Sequence, residues 1–152
     1  DQSVKTNISI TVLDKIQQWG LMLSSRKEQK LANDYIGRLA IKTSSVNNAA
    51  KNLSGGNQQK IVLAKWLATN PKILLLDEPT RGIDINAKAE IYRLMKTLSA
   101  DGMGLLLVSS ELPEILAVSD RVLVMCEGEL TASIPIEDAT ETAILKNAIH
   151  KN

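Results

Sequence analysis

Two short stretches carry the residue types that handle phosphate. In Leu53-Ser54-Gly55-Gly56-Asn57-Gln58-Gln59-Lys60, a serine and two glycines open an apolar, helix-like segment. Ser54 suits a helix N-cap, whose hydroxyl accepts from a free backbone N–H of the first turn. Gly55 and Gly56 have no Cβ to hold a ligand away from those N–H groups. The bare end of a helix carries about half a positive charge, which makes it a ready site for a phosphate. Read alone, the same residues are an ordinary capped turn. The second stretch is Ile73-Leu74-Leu75-Leu76-Asp77-Glu78-Pro79-Thr80. It reads as a buried strand with acids at its C-terminal end, the edge where open α/β sheets bind ligands. Asp77 is placed to hold Mg²⁺, usually through water. Glu78 could position or deprotonate a water that attacks a γ-phosphate, help worth roughly 10²–10⁴ in rate. The plain alternative for both is an acidic strand end without a ligand.

The elements that must position these residues follow from periodicity. Ser3 to Ile10 reads as a short helical turn with Val4, Ile8 and Ile10 facing a core. Thr11 to Trp19 reads as a helix with Leu13, Ile16 and Gln17 on one face, ended by Gly20. Ser24 or Ser25 caps a longer helix over Arg26 to Ile41, striped by Leu31, Tyr35, Ile36 and Leu39. Thr43 to Asn52 is polar and loop-like. Asn57 to Ala68 is helical, with Ile61, Ala64, Leu67 and Ala68 on a face broadened by Leu63 and Trp66. After the strand Ile73 to Leu76, Asn86 can cap a helix lined by Ala87, Ile91, Leu94, Met95 and Leu98. Leu105 to Val108 is an unbroken apolar run, suited to a parallel strand covered on both faces. A short helix over Glu111 to Val118 admits Pro113 in its first turn. Val122 to Cys126 and Leu130 to Ile134 flank Glu127-Gly128-Glu129 as a hairpin, and Glu137 to Ile149 is a last helix.

The 152 residues are 44% hydrophobic and 23% charged, with a net charge of +1, which is ordinary for one globular domain. The charge balance gives no reason to expect nucleic acid. No apolar run nears the ~20 residues of a membrane helix. Cys126, the sole cysteine, reads as a small core residue, and His150, the sole histidine, as solvated. The chain starts without methionine, which reads as a piece processed or excised from a longer protein.

Taken together, Ser54-Gly55-Gly56 and Asp77-Glu78-Pro79-Thr80 resemble the LSGG signature and Walker B strand of ABC-transporter ATPases. More narrowly, Leu53 to Lys60, Thr80-Arg81-Gly82-Ile83-Asp84 and Ser109-Ser110-Glu111-Leu112-Pro113-Glu114 resemble the second nucleotide-binding domain of ribose/galactose-type sugar importers, from about Asn7 to the C-terminus. The resemblance implies an α/β fold: a partial P-loop NTPase domain lacking the Walker A strand, with a helical subdomain on its N-terminal side. Residues 1–52 would be the helical part and loop, 53–136 the signature helix and Walker B core, and 137–152 a C-terminal helix. It implies ATP and Mg²⁺ as cofactors, with Glu78 catalytic and Asp77 on the metal. In the family, ATP is sandwiched between two domains. Ser54, Gly55, Gly56 and Asn57 would therefore close over ATP held by a partner domain. Asp84 resembles the aspartate that crosses the dimer interface, or else it caps the helix after it. The implied partners are the first nucleotide-binding domain of the same protein and a membrane permease subunit. The implied location is cytoplasmic, peripheral on the inner face of the cell membrane.

The sequence departs from the full family pattern in three places. No G-x-x-x-x-G-K-[ST] loop occurs. Lys60 does not supply one, because Gln59 precedes it and no apolar strand precedes the glycines. Ser110 stands where the family has a phosphate-sensing histidine; serine can donate a hydrogen bond but cannot become a cation at neutral pH. Asn57 stands where most signatures have glutamine, a change typical of the sugar branch. The reading is an ATP-binding part of an importer of a simple sugar, or of a sugar-like signalling molecule. DNA-repair and chromosome ATPases share both motifs but need long coiled coils and basic surfaces, which are not seen here. A non-catalytic regulatory or interaction module on the same scaffold would also fit a chain without a P-loop. Without the Walker A strand the edge beside Ile73 to Leu76 is open, and open edges recruit other chains, so self-association is expected.

Overall fold

The computed structural model describes residues 2–18 and 22–149. These fall into two compact units, one of the described residues up to 74 together with 79–105, the other of 75–78 and 106–149.

The first unit opens with α1 (Val4–Ser9), capped by the Ser3 hydroxyl, and α2 (Leu13–Ile16). Val4, Ile8, Val12 and Ile16 are buried, one stripe at intervals of four. Ile10 lies off that stripe and is 52% exposed, contrary to expectation. The helix expected over Thr11 to Trp19 stops at Ile16. Gln17–Gln18 form β1, paired antiparallel with β2 (Met22–Leu23), Gln17 opposite Leu23. Trp19, Gly20 and His150 lie outside the described residues.

Helix α3 (Ser25–Arg38) starts at Ser24, whose hydroxyl accepts from the Lys27 N–H. It ends where Ala40 enters the left-handed region (φ 48°) and the Ile41 N–H reaches back to the Ile36 carbonyl, the six-to-one closure of a Schellman cap. The loop after it is pinned to the N-terminus. Val4 N–H bonds Asn48 O, and Lys5 N–H bonds Val46 O, both at 2.9 Å.

α4 (Gly55–Leu67) packs on α1 and α5 (Ile85–Ala100). Ile61, Leu63, Ala64 and Leu67 are buried as expected, whereas Trp66 is half exposed. The last carbonyls of a helix have no partner within it. In α4 three of them, and the cap residue just beyond, are met by side chains. The Thr11 hydroxyl donates to Lys65 O (2.6 Å), Tyr35 Oη to Leu67 O (2.8 Å), Lys15 Nζ to Ala68 O (3.0 Å) and the Thr69 hydroxyl to Trp66 O (2.8 Å). A lysine there also complements the negative end of the dipole.

β3 (Ile73–Asp77) and β4 (Gly104–Val108) pair with each other. Gly104 N–H bonds Lys72 O at one end and Glu78 N–H bonds Val108 O at the other, so the strands run the same way, with α5 as the crossover. Leu74 and Leu76 are buried, but Ile73 and Leu75 are 66% and 71% exposed. The sheet is therefore covered on one face of β3, not on both. An all-apolar run does not by itself reveal that only alternate residues are covered.

In the second unit, α6 (Leu112–Val118) precedes the hairpin of β5 (Arg121–Cys126) and β6 (Glu129–Pro135). Cys126 opposes Glu129 across Glu127 (φ 51°) and Gly128 (φ 86°), a turn that needs two left-handed residues. Val122 and Val124 bury against Ile144 of α7 (Glu141–Ala148). That helix begins later than expected, because a short 3₁₀ turn takes Ile136–Asp138 and the Thr140 hydroxyl then caps α7 on Ala143 N–H. Cys126 is half-buried. No helix among the described residues is long and apolar enough to cross a membrane.

Candidate functional site

The N-terminus of α4 is where the sequence placed its first site, and the residues there are arranged differently from the expected cap. Ser54 takes the N-cap position with extended backbone, but its hydroxyl caps no backbone N–H. Instead its oxygen accepts from the side-chain amide of Asn57 at 2.8 Å, while Asn57 Oδ1 accepts from the backbone N–H of Lys42 at 2.7 Å. Side-chain partners of this kind compete with backbone capping. Ser54 and Gly55 are exposed and Gly56 is buried.

The glycines have a packing reason that no local pattern reveals. A Cβ on Gly56 would lie 2.6 Å from Ala87 Cβ, and one on Gly55 would lie 3.3 Å from an Ile83 methyl. The start of α4 thus fits against the start of α5 only where a side chain is missing. Asp84 caps α5, its carboxylate accepting from Ala87 N–H at 3.0 Å, so Asn86 is not the cap. Ser54, Gly56, Asn57, Asp84, Ala87 and Lys42 line one open cavity of about 140 Å³.

Beneath it lies a charge pair that local sequence does not signal. Lys60, at 6% side-chain exposure, is 2.8 Å from Glu90, and its Nζ donates to Ala40 O at 3.1 Å. Lys60 thereby joins α4, α5 and the left-handed end of α3. The hydrogen bond from Lys60, and then its charge, hold the Glu90 carboxyl below the ordinary glutamate value of 4.5. This stabilisation is fully present above that value and is lost as pH falls through the lowered one. Glu90→Gln is expected to cost about 1–2 kcal/mol. That is below the ~3–5 kcal/mol of a fully buried pair, because Glu90 is 35% exposed and water screens it. Urea unfolding at pH 7 and pH 3.5 checks this. The variant should lose stability at pH 7 and show a shallower decline into acid than the parent.

The second unit brings Glu78 and Ser110 together. Glu78 follows directly on Asp77, the last residue of β3, which is exposed. Its backbone is left-handed (φ 47°), unfavourable by roughly 1–2 kcal/mol for a residue with a Cβ. Two bonds offset this. Glu78 N–H bonds Val108 O at 2.9 Å, and Glu78 Oε1 accepts from Ser110 N–H at 2.7 Å. The carboxylate is thus aimed by the main chain of the loop after β4. That loop is braced in turn, because the Ser109 hydroxyl donates to the buried Glu114 carboxylate and accepts from Glu111 N–H.

These groups suit ATP and Mg²⁺. The α4 end offers first-turn amides with no side-chain cap and one exposed hydroxyl, the donor set an anion's oxygens require. Asp84 and Glu90 add carboxylates to the same cavity, but each is engaged, on Ala87 N–H and Lys60. Among the described residues no group of three or more His, Cys, Asp or Glu could hold a metal. Asp77 supplies a single carboxylate, which fits Mg²⁺, an ion held by one or two carboxylates together with phosphates and water.

A crossover β–α–β unit with acids at a strand end and a glycine-rich helix start defines a nucleotide-triphosphatase type of architecture. The chain belongs to the ABC transporter family, whose model matches residues 1–81. It is 52% identical over 147 residues to the ribose import ATP-binding protein of Rhodopirellula baltica, covering 97% of this chain and 29% of the relative. It is 46% identical over 149 residues to the same-named protein of Clostridium tetani, covering 98% of this chain and 30% of that one. The chain therefore spans under a third of the length of these relatives. Among solved structures it resembles a dimeric ATP-binding cassette in a post-hydrolysis state bound to ADP and Pi, with a TM-score of 0.73, 24% identity, and coverage of 89% of this chain and 57% of that one. A second cassette of an ABC transporter gives a TM-score of 0.79 at 21% identity, over 99% and 64%. These likenesses establish the fold.

Proposed function

We propose that this chain is part of the ATP-binding subunit of an importer of a simple sugar, and that it supplies the signature side of an ATP site whose phosphate cradle lies in a partner domain. The observation that carries this is the start of α4: an exposed serine whose oxygen is already held from behind, uncapped amides beside it, and an open cavity reaching Asp84. The names of the relatives, ribose import ATP-binding proteins, support sugar as the cargo.

Ser54 would donate its hydroxyl proton, and the first-turn amides their N–H groups, to a γ-phosphate. These donors lack a partner until one arrives, so binding draws the domains together. ATP supplies, when bound, the anionic bridge that is lost on hydrolysis. Asp77 would hold Mg²⁺ and Glu78 would orient the attacking water. Asp84, beside the same cavity, would meet the partner domain. Ser110 aims Glu78 through its main chain but brings no cation, which favours a slow or regulatory role for the Glu78 half. Residues 1–52 would face the permease, which would hold the protein to the inner face of the membrane. Residues 53–136 would carry the signature and the acids, and 137–152 the terminal segment that contains α7.

Calorimetry of this chain with millimolar Mg-ATP tests the division of labour. No heat of binding is expected, since the donors of one half alone make a weak site. Tight binding would overturn it, because an unrecognised cradle would then exist in these residues. Light scattering on the same sample tests self-association through the outer edge of the β3–β4 pair. A strictly monomeric particle at high micromolar concentration would exclude it.

A further inference from the structure

Ser54 can give its one proton to an anion only if that proton points away from the protein. The neighbour its oxygen already meets decides this. Asn57 lies three residues on, one turn along the same helix face. Its Oδ1 is 2.7 Å from the Lys42 nitrogen and its Nδ2 is 2.8 Å from Ser54 Oγ. The first contact fixes which way the amide faces. A backbone N–H can only donate, so the atom opposite Lys42 is the oxygen, and the NH₂ end faces Ser54. That NH₂ also can only donate, so Ser54 Oγ is the acceptor and keeps its own proton for another partner.

We infer that Asn57 is a positioning residue that holds the Ser54 hydroxyl proton-outward, set by the Lys42 N–H at its other end. This rests on the proposed reading of Ser54 as a phosphate donor, and it gives Asn57 a role exercised through Ser54. The relay starts from a fixed point. Lys60, paired with Glu90, donates to Ala40 O and so braces the turn that presents Lys42. Aspartate at position 57 would still accept from Lys42 N–H. It would also accept from Ser54, turning the proton inward and adding a negative charge beside the phosphate position.

In the full-length protein, Asn57→Asp, Asn57→Ala, Ser54→Ala and the double substitution Ser54→Ala with Asn57→Ala are compared. The readouts are the affinity for a non-hydrolysable ATP analogue by calorimetry, kcat and KM for Mg-ATP, and melting temperature. Asn57→Asp is expected to lower kcat about a hundredfold, the scale of losing one preorganised donor, to weaken analogue binding about tenfold, and to keep the parent's melting temperature. Asn57→Ala should weaken analogue binding in the parent but not when Ser54 is already alanine, since no hydroxyl remains to be aimed. Equal, additive losses in both backgrounds would overturn the inference and make Asn57 a structural or ligand-touching residue. Parental analogue affinity in Asn57→Asp would overturn it too, and remains decisive if the alanine variant fails to fold. If Ser54→Ala alone changes neither affinity nor turnover, the donor reading of Ser54 fails, and the inference falls with it.

Discussion

Ser54→Arg in the full-length protein is expected to lower ATP turnover by about two to three orders of magnitude, the cost of removing a preorganised donor from a site of developing charge. Arginine at this position fills the cavity over the α4 amides and bars phosphate oxygens from approaching the N–H groups. The fold should tolerate it. Ser54 is exposed, makes no capping bond to the backbone, and loses only the contact with Asn57. A cation at the positive end of a helix adds about 0.3–1 kcal/mol of cost, too little to unfold a domain. Steady-state turnover with circular dichroism as a folding control makes the measurement. Parental turnover would remove the α4 N-terminus from the mechanism. Glu78→Gln should cost far less, because Ser110, whose N–H holds the Glu78 carboxylate, brings no cation to that half. A hundredfold loss there would put the working chemistry in the wrong half of the proposal.

The second large effect is on stability. Gly56→Ala places two methyl carbons 2.6 Å apart, and the one it meets is the Cβ of Ala87, fixed to the α5 backbone. No side-chain rotation relieves this, so α4 and α5 must separate. Overpacking of this kind costs about 1–3 kcal/mol. At about 2–4 °C per kcal/mol for chains of 150–250 residues, the melting temperature should fall by several degrees. The diagnostic partner is Ala87→Gly, which reopens the space at a propensity cost of at most about 1 kcal/mol. The double variant should recover most of the loss. Equal melting temperatures for Gly56→Ala and the parent would show that the two helix starts do not meet at Gly56.

What could be read from the sequence was whatever a local pattern encodes. The strand ending in Asp77 and Glu78 is an apolar run stopped by acids. The four-residue stripe announces Val4 and Ile8. The Glu127-Gly128 turn follows from the two strand-like runs that flank it. What could not be read depends on residues far along the chain. Gly56 is small because of Ala87, and Lys60 is buried because Glu90 and Ala40 answer it. The Ser54 hydroxyl turns to Asn57 rather than the backbone because Lys42 orients that amide. Trp66 and Leu75 sit in apolar patterns yet lie half or more exposed, since a pattern cannot say which face is covered. The helix expected over Thr11 to Trp19 gave way at Gln17 to a pairing with Leu23, for which two glutamines offer no local warning.

Helix α4 is gripped at both ends. Its start is keyed into α5 at Gly56, and its final carbonyls are held by Thr11, Lys15 and Tyr35. A helix of 13 residues is about 20 Å long at 1.5 Å per residue, and it is stiff along its axis. A push or pull delivered at Ser54 is therefore not absorbed locally. It is expected to be carried along the rod to the turn before α2, to α2 and to α3, where Thr11, Lys15 and Tyr35 are the points of attachment.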